Sequence, residues 1–182
     1  ISKLMYAENM FIALYDKKDD LIRLPYYVDK YDDFQGTSFP FDGSVLTCNC
    51  IIEGIPVLFS RKELDDFLNA TSEQPNKRKG TLSDYWLGCP LMVGENKIGA
   101  IVVQSYEEEN IINNDDRDLL GFVSDLLAMV IEHKRLEAER LEYQINLERK
   151  IDERTKELFY AKEKAESATK TKSEFLANMS HE

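Results

Sequence analysis

Helix breakers are missing from the last third of the chain. All 8 glycines and all 5 prolines of the 182-residue sequence lie at or before Gly121, so residues 122–182 contain neither. A segment without breakers is free to be helical along its whole length. Histidine is nearly absent: His133 and His181 are the 2 present, both in that segment. Cysteine is scarce, with Cys48, Cys50 and Cys89 an odd set of 3. Such a set does not make a disulfide framework. No run approaches the roughly 18 uncharged apolar residues of a membrane-spanning helix. The best apolar stretch, Phe122 to Ile131, is interrupted by Ser124 and Asp125. Basic charge is also in deficit, leaving a net charge of −11. A chain of that sign repels phosphate backbones, so nucleic acid is not an expected partner.

What is present divides at the same place as the glycines. Residues 1–118 hold 12 basic and 21 acidic groups, whereas residues 119–182 hold 11 and 13. The hydrophobic fraction of 43% is ordinary for a chain with a real core. The pattern predicts a compact acidic part followed by a long tail of balanced charge. The spacing Cys48-x-Cys50 could form half of a soft-metal site, but both histidines lie far along the tail. Buried, inert thiols are the expectation. No secretory leader is expected before the cysteines. The chain opens in a helix-like run, Ile1 to Tyr6, and ends on His181-Glu182. It reads as part of a longer, cytoplasmic protein, with the first helix cut short.

In the compact part, β-forming residues 8–16 stop at the polar cluster Asp16 to Asp20 and resume from Leu21 to Tyr31. Ile22, Leu24, Tyr26 and Val28 alternate along the second run, which predicts a β-hairpin. Gly36, Pro40 and Gly43 mark a loop. Ser44 to Ile52 fits a short helix ended by Gly54, and Pro56 to Phe59 a short strand. Ser60 and Glu63 have the spacing of a capping box for a helix from Arg61 to Leu68. Asn69 to Leu82 reads as a loop carrying the basic cluster Lys77-Arg78-Lys79, a solvated surface. Tyr85–Val93 and Ile98–Tyr106 predict a second hairpin. Asp115-Asp116 suit the start of a helix, where the dipole favours acid. Leu119, Leu120, Val123, Leu126, Leu127 and Val130 then recur at helical spacing. The order of elements argues for an α+β fold, an antiparallel sheet with its helices on one side.

Several of these segments carry a family likeness. Trp86 to Gly94 and Lys97 to Tyr106 resemble the central hairpin of GAF domains. Asp116 to Lys134 resembles their last helix, and Gly43-Ser-Val-Leu with Gly54-Ile-Pro-Val-Leu their preceding helix and strand. In that hairpin Gly99 permits close packing, and Pro90 marks a place where a strand bends or lacks a donor. The likeness covers about residues 1–133 and implies a ligand or signal-input cup between sheet and covering helices. Tyr26, Tyr27, Phe39, Phe41, Trp86 and Tyr106 are the aromatics expected there, unless they are simply core. The compact part has no histidine for haem, no Asp-Ile-Pro string of the bilin-binding type and no evident acidic pair for cyclic nucleotides. An unidentified small ligand, or none, is the expectation; no cofactor is expected within the chain.

The tail predicts one helix on the order of 90 Å long. One heptad frame places Val123, Val130, Ile151, Leu158 and Ala165 at one seam position and Leu119, Leu126, Leu147 and Ala161 at the other. The frame fails between His133 and Gln144, where Glu137 and Arg140 fall on the seam while Leu136, Leu141 and Tyr143 fall off it. That break is either a packing irregularity or a change of register. Asp152–Lys156 and Glu166–Lys170 offer i,i+4 support. A homodimer through a parallel coiled coil is the expectation.

Ile151-Asp-Glu-Arg-Thr-Lys-Glu-Leu158 resembles the signalling-helix linkers between sensor and output domains. Lys172-Ser-Glu-Phe-Leu-Ala-Asn-Met-Ser-His-Glu182 is similar to the H-box that opens the dimerisation and phosphotransfer domain of histidine kinases. The resemblance implies three segments: a sensor at 1–133, a linker at 134–171 and the start of the phosphoacceptor domain at 172–182. It makes His181 the phosphoacceptor and Glu182 the assisting acid/base, an arrangement suited to an imidazole attacking phosphorus. The segment itself has no Gly-rich ATP loop, so ATP, magnesium and the kinase activity would belong to the parent protein, with a response regulator as its partner. Two alternatives stand beside this reading. One is a GAF ligand-binding or dimerisation module that regulates a different output domain. The other is a coiled-coil scaffold. Neither a metal nor membrane contact is expected in this segment.

Overall fold

A computed structural model describes residues 5, 7–43, 45–71 and 80–179. Of the expected elements, the opening helical run (Met5 apart) and the basic cluster Lys77-Arg78-Lys79 lie outside the described residues. β1 (Asn9–Asp16) and β2 (Leu21–Val28) form the first hairpin, turning through the polar residues 17–20. β3 (Ser38–Pro40) pairs with the start of β2. α1 (Leu46–Glu53), β4 (Val57–Ser60) and α2 (Arg61–Thr71) follow. β5 (Tyr85–Val93) and β6 (Asn96–Ser105) form the second hairpin, and α3 runs from Asn114 to Met179. The strands make one antiparallel sheet in the order β3-β2-β1-β6-β5-β4.

Local chemistry explains the boundaries. Gly54 ends α1 in the left-handed region at φ 74°, its N–H donating to the Cys50 carbonyl at 3.0 Å. That conformation costs glycine nothing. The Ser60 N–H donates to the Glu63 carboxylate at 2.8 Å, one arm of the expected capping box, and α2 starts at Arg61 as expected. α2 runs to Thr71, past the expected end at Leu68. At α3, Asn113 Oδ1 accepts from the N–H groups of Asp115 and Asp116, while Asp116 Oδ2 accepts from the Asn113 N–H. The Asp115 and Asp116 N–H groups of the first turn, which lack intrahelical partners, are thereby satisfied.

Three features differ from the sequence reading. The segment around Pro40 is a strand, β3, where the sequence suggested only loop. The alternation in β2 breaks after Leu24: Ile22, Leu24 and Tyr27 are buried, whereas Tyr26 and Val28 face out. The cause is a bulge, since Ile12 pairs with Tyr26 but Leu14 with Arg23, so Leu24 and Pro25 both oppose Ala13. Proline brings no N–H to a ladder and suits such a place. Third, the helices cover both faces of the sheet. On one face Phe11, Ala13, Trp86, Ala100 and Val102 pack with Cys48, Cys50 and Ile51 of α1 and Leu64 of α2. On the other, Leu87, Cys89, Leu91, Ile101 and Val103 pack with Ile112 and with Leu120 and Ala128 of α3. Successive residues of β5 and β6 are therefore buried on opposite faces, as a doubly covered sheet requires. β4 pairs only with Tyr85–Gly88, so Pro90 lies where β5 has a neighbour on one side alone.

The chain divides into two compact units, Ile1–Glu132 and His133–Glu182. In the second, α3 is laced by short-range ion pairs such as Lys156–Asp152 at 2.7 Å and Arg149–Glu153 at 2.8 Å. Glu166 pairs at 3.7 Å with Lys162, one turn before it, where the sequence suggested Lys170, one turn after it. Each exposed pair contributes about 0.3–0.5 kcal/mol. No helix among the described residues is long and apolar enough to cross a membrane.

Two glycines should respond in opposite directions to alanine. A Cβ on Gly99 would lie 2.1 Å from the Ala13 carbonyl oxygen in the neighbouring strand, whereas one on Gly121 would meet nothing within 4 Å. Urea unfolding should show Gly99→Ala destabilising by at least about 2 kcal/mol and Gly121→Ala stabilising by about 0.5–1 kcal/mol.

Candidate functional site

The six aromatics picked out from the sequence do not form one set. Tyr27, Phe39, Phe41 and Trp86 come together on the face covered by α1, with Tyr27 and Trp86 buried and the two phenylalanines half-buried. The Tyr27 ring stacks on Phe11 at 5.3 Å and meets Phe34 edge-on at 5.6 Å. Phe41 lies 4.2 Å from Tyr15, and Trp86 6.4 Å from Phe59. The Trp86 indole occupies the space that a side chain at Gly88 would need. Tyr26 is not part of this group, because the bulge at Leu24-Pro25 turns it outward.

Tyr106 also lies elsewhere, just beyond the end of β6. Its hydroxyl donates to Asp29 Oδ2 at 2.8 Å, and its ring meets Tyr31 edge-on at 4.7 Å. Burial and the Asp29 carboxylate both push the Tyr106 phenol upward, so it stays protonated and donating. Asp29 Oδ1 meanwhile accepts the N–H groups of Tyr31 and Asp32, and Asp32 accepts the Thr81 N–H at 2.6 Å. This network ties the segment after β2 to the segment before β5. Asp29 and Asp32 were not picked out from the sequence. Their signal was the Asp29-x-x-Asp32-Asp33 cluster, which is also what an ordinary turn looks like.

A separate cleft of about 500 Å³ opens at the β4 edge, between Ile55, Val57, Leu58, Tyr85, Ile112 and Arg117. None of the six aromatics lines it. Glu63 borders it with its carboxylate held below the usual range by hydrogen bonds from the Ser60 hydroxyl and N–H. Loop residues 55–56 and 112 carry no periodic pattern, so the sequence gives no sign of this cleft.

All three thiols are buried and free. Cys48 donates to the Pro40 carbonyl, Cys50 to that of Ile55 and Cys89 to that of Arg117. Burial pushes Cys50 and Cys89 up to about 12 and raises Cys48 as well. Protonated, enclosed thiols are poor nucleophiles and poor metal ligands. Among the described residues no group of three or more His, Cys, Asp or Glu is placed to hold a metal ion. His181 and Glu182 lie outside the described residues. His133 is exposed on α3.

The sequence model of the GAF domain family matches residues 1–132. Among curated proteins, hybrid signal transduction histidine kinase G of Dictyostelium discoideum is 28% identical over 114 residues, covering 63% of this chain and 3% of that protein. The circadian input-output histidine kinase CikA of Synechococcus elongatus is 31% identical over 93 residues, covering 51% of this chain and 12% of that protein. The chain thus spans a small fraction of the length of these relatives. Among solved structures, the GAF domain of a two-component sensor histidine kinase from Bacillus halodurans aligns with a TM-score of 0.57 at 15% identity, covering 75% of this chain and 89% of that one. At that identity the match speaks for the fold alone.

The thiols set a pH dependence. Their folded pKa lies above the ordinary 9.0, so the unfolded chain releases protons that the native state keeps. Stability from this source is intact below about pH 9 and is lost as pH rises towards 12. Urea midpoints between pH 7 and pH 10.5 should fall less steeply for Cys50→Ala and Cys89→Ala than for the parent chain.

Proposed function

The chain belongs to the GAF domain family, and on that premise we propose that it is the sensory input and signal-carrying segment of a two-component histidine kinase. The observation that carries the reading is that the last helix of the GAF fold runs on without a break towards the H-box-like residues 172–182. The proposed segments are a sensor at 1–133, a helical linker at 134–171 and the opening of the phosphoacceptor domain at 172–182. The distant kinase relatives, which match over the GAF part, are consistent with it.

Input would be received on the aromatic face. A small, largely apolar ligand entering near Tyr27, Phe39, Phe41 and Trp86 would have to displace their mutual contacts, and the Asp29–Tyr106 network would gate its entry. α3 packs on the opposite face of the same sheet, so any change must pass through β5 and β6. A ligand shifts such an equilibrium only by its differential affinity for the two states.

Output would be phosphoryl transfer at His181. A free imidazole nitrogen of His181 attacks the γ-phosphorus of ATP bound to the catalytic domain. The N–P bond forms as the bond to ADP breaks, and the Glu182 carboxylate orients the ring and assists with its proton. The phosphoryl group then passes to a response regulator. The segment acts as a cytoplasmic homodimer through α3, which gives each kinase core a partner chain.

Incubation of the chain with its cognate kinase core and labelled ATP should label the parent chain and not His181→Ala. Equal labelling of the two removes the assignment. Truncation at Lys134 should weaken dimerisation at least about tenfold in sedimentation equilibrium, and an unchanged dimer would place the interface elsewhere.

A further inference from the structure

Packing of α3 against the sheet fixes which of its residues face outward. Leu120, Ser124 and Ala128 are buried, and Leu119, Leu127 and Ile131 pack partly against the same core. Leu119, the first residue of the single heptad frame, is therefore spent within its own domain. On the opposite side of the helix Phe122, Leu126 and Met129 stand 63%, 44% and 56% exposed. Three large apolar side chains on one side of a well-packed helix call for a cover.

The spacing of these residues extends down the helix. Steps of four and three residues alternate from Phe122 through Leu126, Met129, His133, Leu136, Arg140 and Tyr143 to Leu147. The next step, Leu147 to Ile151, is four again, after which Arg154 and Leu158 restore the alternation. Ten steps cover residues 122 to 158, about 3.6 residues per step, which is the period of a straight helix; a period of about 3.5 would demand a left-handed supercoil. The frame narrows the gap left by a single heptad: Leu136 and Tyr143 replace Glu137 and Gln144 on the seam, both exposed in the isolated chain, while His133 and Arg140 stay on it in either frame.

We infer that two copies of this chain pair along this row from residue 122 to residue 158, as nearly straight helices with a four-residue stutter across Tyr143, Leu147 and Ile151. The inference rests on the dimer reading above and specifies its register. A second copy is the occupant the row fits, because a two-fold pair presents the same row to itself and the four-and-three spacing is what knobs-into-holes packing uses. Eight large apolar side chains on each helix would bury on the order of 1,000 Å², the scale of a specific interface.

Cysteine cross-linking of the full chain separates the frames, since its native thiols are buried. Single variants Leu136→Cys, Tyr143→Cys, Glu137→Cys and Gln144→Cys would be oxidised mildly and followed on non-reducing gels, with sedimentation equilibrium on each. The expected result is a dimer in every case, with the 136 and 143 variants cross-linking at least about tenfold faster than the 137 and 144 variants, because disulfide geometry demands close and facing Cβ atoms. A dimer in which 137 and 144 cross-link faster overturns the stutter and leaves the dimer reading intact. A monomer at all concentrations overturns both.

Discussion

The burial of the first turns of α3 against the sheet is the contact on which the rest of this molecule depends. Leu120 and Ala128 have no exposed surface, the Ser124 hydroxyl is satisfied by the Gly121 carbonyl, and the Cys89 thiol of β5 donates to the Arg117 carbonyl. A fully buried leucine contributes about 1.5–3 kcal/mol, so rotating this part of the helix would cost several such contacts. Within residues 114–132 the helix is therefore held in one rotation against the sheet. Which residues face outward, and which can meet a partner, follows from that packing.

The same contact lies on the signal path proposed above. The aromatic face and α3 are on opposite sides of one sheet, with Trp86 on one face and its neighbour Leu87 on the other. Close-packed interiors transmit displacement because they have no slack to absorb it. Gly99, whose missing side chain lets β6 lie against the Ala13 carbonyl, shows how tightly the central strands are set. On the proposed reading, an input on one face would reach the helix through two strands.

Much of this was legible in the sequence, and the failures have physical causes. The two hairpins, the stop at Gly54, the helix start at Arg61 and the acidic start of α3 are local signals, and each appears as read. β3 escaped because three residues around Pro40 carry no alternation of their own and are held by pairing with β2. Tyr26 was misplaced because strict alternation was carried through Pro25, where a bulge shifts the inward face by one residue. Coverage of both faces was legible in principle: Leu87 to Leu91 and Ala100 to Val103 are small or apolar at every position, the mark of strands buried on both sides. Of the aromatic set, the four residues that come together are those on strands and loops facing α1. The tyrosine at the end of β6 belongs instead to a polar network whose partners, Asp29 and Asp32, read as ordinary turn residues. The break in the heptad frame was visible too, but only the burial of Leu120, Ser124 and Ala128 shows which face of the first turns is left uncovered.

Everything proposed for the dimer turns on whether two copies meet on the face of α3 turned away from the sheet. It is tested most directly by pulsed electron–electron resonance on the chain spin-labelled at Met129. The expected result is a narrow, short distance between the labels of two chains, set by helix axes about 8–10 Å apart plus the label arms, and its loss on dilution with unlabelled chain. A signal with no intermolecular distance, at concentrations where sedimentation shows a dimer, would contradict it.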